Sequence, residues 1–362
     1  MTVTGGRNGG VASRATITDV AMLADVSVPT VSRVLTGAAN VSPARRERVE
    51  RAIADLKFRP SAAARVLASR RPQVIAILAS DTSKYGYAEA IRGLEESARV
   101  NGYTVMITVV ESAAQAIVEK AVAATFTQPL AGIVVLKFDP PGVATLARLP
   151  VDVPVVALSG ARDTSVPQAV LDETRAAEEL TNHLLSLGHR TVHHVRVPPS
   201  RREDGRTTGW KRALRKAGRV IPEMFDASWD PRTGVEVGTR LAAMADVTAV
   251  FCGNDEIAMG AIRGITDAGL RVPDDISVVG FDDHPLAELW SPPLTTVDQD
   301  FANLGRRGFQ LLREEIDGEA GRRYSSERPP LVVRQSSVAP NPDRLAAQDE
   351  TPTKTLVSKG SL

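Results

Sequence analysis

Two groups of residues in this chain have types and spacings that could do chemistry. One is the run VSVPTVSRVL, Val26 to Leu35, where two serines, a threonine, a proline and an arginine fall within seven residues. Hydroxyls and a guanidinium so placed suit phosphate oxygens and base edges. The other group is scattered: Ser80, Ser159, Asn254 and Asp282 each stand just after a β-branched run, offering two hydroxyls, an amide and a carboxylate to a small polar molecule. Catalytic patterns are missing. There is no GxSxG, no P-loop and no GxGxxG after a strand, and the five histidines show no metal-ligand spacing, the adjacent pair His193 and His194 included. Strand alternation expects one of that pair in the core and the other facing solvent. Cys252, the single cysteine, lies in the apolar run AVFCG and reads as core, which excludes an intrachain disulfide. The expectation is a protein that is not an enzyme and has no metal and no cofactor.

The first group is positioned by three short helices. In TITDVAMLAD, Thr16 or Thr18 caps a helix whose apolar face is Ile17, Val20, Ala21 and Leu23. Ser27 caps the next, so Pro29 falls in the first turn and starts the helix without costing it a hydrogen bond. Val31, Val34 and Leu35 then point inward and Val28, Pro29, Ser32 and Arg33 outward. Ser42-Pro43 announces a third helix through ARRERVERAIADLKF, with Val49, Ile53 and Leu56 in register. This is helix-turn-helix grammar. Thr16, Ser27, Val28, Pro29, Thr30, Ser32 and Arg33 form the candidate DNA-contacting set.

Charge agrees with that placement. Residues 1–71 hold 12 Lys/Arg against 5 Asp/Glu, whereas residues 72–362 hold 32 against 38. A basic module on a mildly acidic body points to a polyanionic partner for the module alone. The first fifteen residues lack the apolar stretch of a signal peptide and no run approaches a membrane span, so the expected location is the cytoplasm, with no membrane partner.

The second group belongs to a body of alternating strands and amphipathic segments. VIAILAS, YTVMITVV, AGIVVLKF, VPVVALS, TVHHVRV, AVFCG and ISVVGFD read as strands with helices between nearly all of them, the signature of parallel sheets covered on both faces. Ligands of such sheets sit beyond the carboxyl ends of the strands, which singles out the four residues above. Other roles stay open: Asn254 or Asp255 could cap the helix EIAMGAIRGITDAG, and Asp282-Asp283 could be turn chemistry.

The stretch TITDVAMLADVSVPTVSRVLTGAANVSPARRERVERAIADLKFRPSAAARVLASRR resembles the start of the lactose and galactose repressor family of bacterial transcription regulators, with Asp25 where the family usually has glycine. The likeness continues in VPVVALSG, LLSLGHR, Arg206 to Trp210, and FCGNDEIAMGAIRGITDAGLRVPDDISVVGFDD. It implies a multi-domain protein, an N-terminal all-α helix-turn-helix DNA-binding domain followed by an α/β two-lobed domain like periplasmic binding proteins. The expected boundaries are a disordered tail 1–15, the DNA-binding domain 16–60, a hinge helix 61–72, the effector and dimerisation domain 73–338, and a disordered tail 339–362. The resemblance further implies that Leu67 wedges into the minor groove, that Arg206 and Trp229 contact an effector, and that Tyr87, where the family usually has phenylalanine, keeps an aromatic wall; Trp229 could equally be core. Tyr85 stands where the family usually has proline, with exposure as its alternative. The implied function is a repressor that binds pseudo-palindromic operator DNA as a homodimer under control of a sugar-like effector. A sugar-binding protein of the periplasmic type without a DNA role is the rival, and it would need a signal peptide and no helix-turn-helix.

Overall fold

In the computed structural model, which describes residues 15–35, 40–58, 72–150, 152–160, 162, 166–199, 204–319 and 323–350, the chain divides into two units, Met1–Gln73 and Val74–Leu362. Thr16 opens α1 (Ile17–Leu23) with a capping box, its hydroxyl accepting from the Asp19 amide at 3.3 Å while the Asp19 carboxylate takes the Thr16 N–H at 2.7 Å. The inward face of α1 is Ile17, Val20, Ala21 and Ala24. Leu23, expected there, is exposed because it lies about 110° around the helix from that face. Asp25 then turns the chain with φ 51°, the left-handed conformation aspartate tolerates. Next come α2 (Val28–Leu35), with Pro29 in its first turn, and α3 (Pro43–Asp55) after Ser42. Val31, Val34, Val49 and Ala52 close the core, whereas Leu35 ends α2 more than a third exposed. The expected hinge helix with Leu67 lies outside the described residues.

The second unit opens a six-stranded parallel sheet with β1 (Val74–Ala79), β2 (Thr104–Val109), β3 (Gly132–Lys137), β4 (Val155–Ser159) and β5 (Gln168–Leu171), in order β2-β1-β3-β4-β5. Between the strands run α4 (Tyr85–Val100), α5 (Gln115–Thr125) and α6 (Pro140–Leu146). After Asp172 the chain crosses into a second lobe with a four-stranded parallel sheet of β6 (His193–Arg196), β7 (Phe225–Asp226), β8 (Ala249–Cys252) and β9 (Ser277–Val279), ordered β7-β6-β8-β9. Its helices are α7 (Glu173–Ser186), α8 (Gly205–Lys216), α9 (Pro231–Ala242) and α10 (Asp255–Asp267). From β10 (Thr296–Val297) the chain returns as α11 (Phe301–Asp317) and β11 (Tyr324–Glu327), which pairs with β5, and crosses a third time into β12 (Leu331–Val332) beside β10. Three crossovers therefore join the lobes. In the first lobe, α4 and α11 meet almost backbone to backbone: a Cβ on Gly93 would strike the Ala302 carbonyl and one on Gly305 the Ala90 carbonyl.

Two sequence expectations fail here. His193 and His194 are both buried, because helices cover both faces of this sheet and alternation gives no solvent side. His194 bonds the Phe251 carbonyl at 2.9 Å and Thr207 at 3.2 Å, and burial holds both rings down at a pKa of about 4. The carboxyl-terminal segment, expected to be disordered from residue 339, forms α12 (Pro342–Glu350). Arg344 donates to the Met244 and Val247 carbonyls at 2.6 and 2.9 Å, in the loop between α9 and β8, and Asn341 donates to Asp275 at 3.0 Å. Residues 351–362 lie outside the described residues.

Candidate functional site

In the first unit, the second helix keeps Ser27, Val28, Pro29 and Arg33 exposed and Thr30 and Ser32 half-buried. The Ser27 and Thr30 hydroxyls lie 2.9 Å apart, so two small donors and an arginine share the outer face with the apolar Val28 and Pro29. Thr16 is exposed but gives its hydroxyl proton to Asp19 at 2.7 Å.

In the second unit a cleft of about 810 Å3, open solvent included, lies between the lobes at the carboxyl ends of the strands. At its floor stands Arg206, in the first turn of α8. Its guanidinium meets Glu173 Oε1 at 3.0 Å and Asp282 Oδ1 at 3.3 Å, donates to the Gly253 carbonyl, and lies 4.6 Å over the Phe281 ring. Gln299 donates to Asp282 at 2.8 Å and to Glu173, closing a ring of four side chains across two of the crossovers. Burial pushes the Asp282 carboxyl up to about 7 against the pull of Arg206, and raises Glu173 in the same way. Burial also opposes the Arg206 charge, but Glu173 and Asp282 override it and hold its pKa above the ordinary arginine value. Asp282 and Asp283 carry φ values of 121° and 51°, so turn chemistry and a cleft position coexist, with backbone strain stored beside the ring.

Asn254 lines the cleft and caps α10, accepting the Ile257 amide at 2.9 Å. Asp255 is no cap: it bonds the Thr296 hydroxyl at 2.6 Å and the His284 amide at 2.7 Å, and burial raises it to about 6. Trp229 packs on the second-lobe core and still lines the cleft, with the Lys84 ammonium 5.0 Å over its ring. Tyr87 is buried and donates its hydroxyl to Asp139 at 2.7 Å. Tyr85 also lines the cleft, its ring 4.8 Å from that of His284 in the opposite lobe.

The structure thus brings Tyr87, Arg206, Trp229, Asn254 and Asp282 to one cleft. Ser80 and Ser159 are not among the residues that line it. Ser80 turns to Tyr87 at 3.0 Å and to Asp139, and Ser159 is buried at the end of β4. Sequence reasoning missed Glu173 because QAVL was not read as a strand; recognising β5 would have put Glu173 at a strand end. Lys137 was hidden inside the run AGIVVLKF, although it is the last residue of β3.

Residues 16–61 match the family described as "Bacterial regulatory proteins, lacI family", and residues 181–337 match "Periplasmic binding protein-like domain". The HTH-type transcriptional repressor PurR of Photobacterium profundum is 32% identical over 340 residues, covering 89% of this chain and 98% of the relative. The chain belongs to the lacI family of bacterial regulatory proteins. The lactose operon repressor of Escherichia coli is 30% identical over 330 residues, with 90% of this chain and 91% of that protein covered. A solved structure of the lac repressor dimer bound to operator and an anti-inducer superposes with a TM-score of 0.83 at 28% identity, covering 90% of this chain and 100% of the other. This lacI-family protein is a DNA-binding transcriptional repressor controlled by a small-molecule effector, and the reading as a binding protein without a DNA role falls away. The named relatives are repressors, not enzymes. Among the described residues, no helix is long and apolar enough to cross a membrane.

Proposed function

We propose that this lacI-family repressor acts in the cytoplasm as a homodimer on a pseudo-palindromic operator, and that a sugar-like effector enters the cleft and biases the dimer between DNA-competent and DNA-incompetent arrangements. On the DNA side the contacts are Ser27, Thr30 and Ser32 to phosphates, Arg33 to a base edge or phosphate, and Val28 with Pro29 to thymine methyl groups. Thr16 stays in the set through its exposed position at the start of α1, and Leu67 through its assigned place in the hinge. On the effector side Asp282 and Asn254 accept and donate to hydroxyls, Arg206 orients both carboxylates, and Trp229 with Tyr87 supplies flat apolar surface. Ser80 and Ser159 support the wall from behind.

The observation that carries this reading is the ring of Glu173, Arg206, Asp282 and Gln299. It ties groups on two crossovers to groups in the second lobe, so a ligand that replaces one of its bonds acts on the connections between the lobes. Such control requires the ligand to favour one arrangement over the other. The test begins with a thermal-shift screen of sugars, polyols and nucleobases against the full chain, followed by operator titrations with and without the hit. Asp282→Asn is expected to abolish the response to the hit while operator affinity without ligand holds. A normal response in that variant would remove the cleft as the sensing site, and a monomer without sequence preference would remove the operator reading.

A further inference from the structure

The charged side chains that line the cleft sort by lobe. Among the described residues, the first lobe contributes only Lys84 and Lys137, and the second contributes Glu173, Asp204, Glu256 and Asp282, together with Arg206. We infer that the effector is a polyhydroxylated anion, a sugar acid or a sugar phosphate, whose hydroxyls face the second lobe and whose carboxylate or phosphate faces Lys84 and Lys137. This rests on the reading of the cleft as the effector site and names the ligand class for it.

The second-lobe carboxylates are already supplied with donors. Glu173 and Asp282 receive Arg206 and Gln299, Asp204 takes the Thr207 amide at 2.7 Å, and Glu256 takes the Asn254 amide at 3.3 Å. A carboxylate so provided has lone pairs left for a hydroxyl and no outstanding need of an ammonium. The first-lobe wall offers the complementary chemistry. Lys84 stands just before the first residue of α4 and reaches across the cleft, its ammonium 5.0 Å over Trp229 and 5.8 Å over Tyr87, with Asp81 behind it at 3.3 Å. That ammonium occupies the side of Trp229 a sugar ring would cover, and its long stem lets it yield that place while staying within reach of the ligand. Lys137 is buried at the end of β3, next to Phe138 in the same wall. Binding of an anion to compact ammonium groups in so enclosed a space forms charge-assisted hydrogen bonds that a neutral sugar does not make.

The test uses the full chain in calorimetric and thermal-shift titrations with matched sets built on glucose, galactose and mannose: the neutral sugar, its uronate, its aldonate, its 6-phosphate and its 2-amino derivative. The expected response is strongest for the anions, with the best of them at least about tenfold tighter than its neutral parent. Uronate and aldonate against phosphate separates the two sources of charge. Lys84→Met and Lys137→Met should each erase most of that preference, read as the ratio of the anion's affinity to that of its neutral parent in the same variant. Lys84 is partly exposed at the cleft mouth, so its variant keeps the fold even if the buried Lys137→Met does not. A preference for neutral or amino sugars, no response among the anions, or an anion preference that survives both substitutions overturns the inference. A neutral hit that Asp282→Asn abolishes leaves the cleft as the effector site and only the class wrong; a hit insensitive to Asp282→Asn and to both lysine variants places the ligand elsewhere.

Discussion

Replacing Arg206 with methionine keeps most of the volume and removes the charge, leaving Glu173 and Asp282 facing each other in a nearly dry space, their side chains 13 and 14% exposed. Breaking a buried pair from one side costs about 3–5 kcal/mol when the remaining charge is uncompensated. The cost depends on pH, and the sign follows from the carboxyls. Asp282 already titrates near 7 beside Arg206, above its ordinary value, so the native state binds more protons than the unfolded chain between about pH 4 and 7 and loses stability as pH rises through that window. Without the guanidinium both carboxyls rise further and the window extends upward. At pH 8 the variant should therefore lose the full ~3–5 kcal/mol, roughly 6–10 °C in melting temperature for a unit of this size. At pH 5 Asp282 is neutral and Glu173, raised by burial, is shifted toward its neutral form, so the loss shrinks toward the missing Gly253 hydrogen bond and the Phe281 ring contact, about 1–2 kcal/mol. Thermal and urea denaturation of the wild type and Arg206→Met at the two pH values reads this directly. Equal losses at pH 5 and pH 8, or a smaller loss at pH 8, would refute the argument. Adding Asp282→Asn to Arg206→Met should recover part of the pH 8 loss and none of the pH 5 loss.

Gly305→Ala would place a methyl group against the Ala90 carbonyl and 2.8 Å from the Leu94 nitrogen, and should cost ~1–3 kcal/mol in chemical denaturation. Tyr87→Phe removes one of the two hydroxyls held by Asp139 and should cost about 1 kcal/mol, with Ser80 still donating; no change in stability would mean the tyrosine hydroxyl is better solvated than its burial indicates. Exchanging Val28 and Pro29 for other residues should change base preference in a binding-site selection more than it changes affinity for random DNA. Arg33→Ala should lower affinity for every sequence about equally and reduce the salt slope by about 1 if Arg33 binds phosphate, or relax preference at one base pair if it reads a base edge.

How much of this could be read from the chain depends on the range of the interactions involved. The helix-turn-helix was legible because its signals are local: Thr16 or Thr18 ahead of an apolar face, Pro29 in a first turn, Ser42 before Pro43. Leu23 was misplaced because helical period was judged over too short a window, one residue before the chain leaves α1. The strands β1 to β4, β6, β8 and β9 were visible as β-branched runs, whereas β5, β7, β10, β11 and β12 were not, since these are two- to four-residue strands outside any longer β-branched run. With β5 went Glu173. Asn254 and Asp282 were found by the rule that ligands gather beyond strand ends, and the same rule overreached at Ser80, whose hydroxyl is drawn off by Asp139 from a loop 59 residues further along. Only the fold brings those two together. His193 and His194 failed for a related reason: alternation predicts a solvent face, and that face exists only if no helix covers it.

The placement of the ring explains why one cleft can serve both recognition and control. Glu173 follows the first crossover and Gln299 precedes the helix that ends the second, while Arg206 and Asp282 belong to the second lobe alone. Two of its bonds, Arg206 to Glu173 and Gln299 to Asp282, therefore link a connecting segment to the second lobe, and a ligand hydroxyl that takes over an Asp282 lone pair changes the balance of those links. The other wall is tied across the cleft by weaker contacts, the Lys84 ammonium over Trp229 and the Tyr85 ring beside His284. Such contacts are worth on the order of 1 kcal/mol each, small enough for an effector of ordinary affinity to exchange. Strong bonds at the crossovers and weak ones at the mouth make lobe closure cheap to bias and hard to disrupt, and coupling of about 1–3 kcal/mol is what effector control of DNA affinity requires.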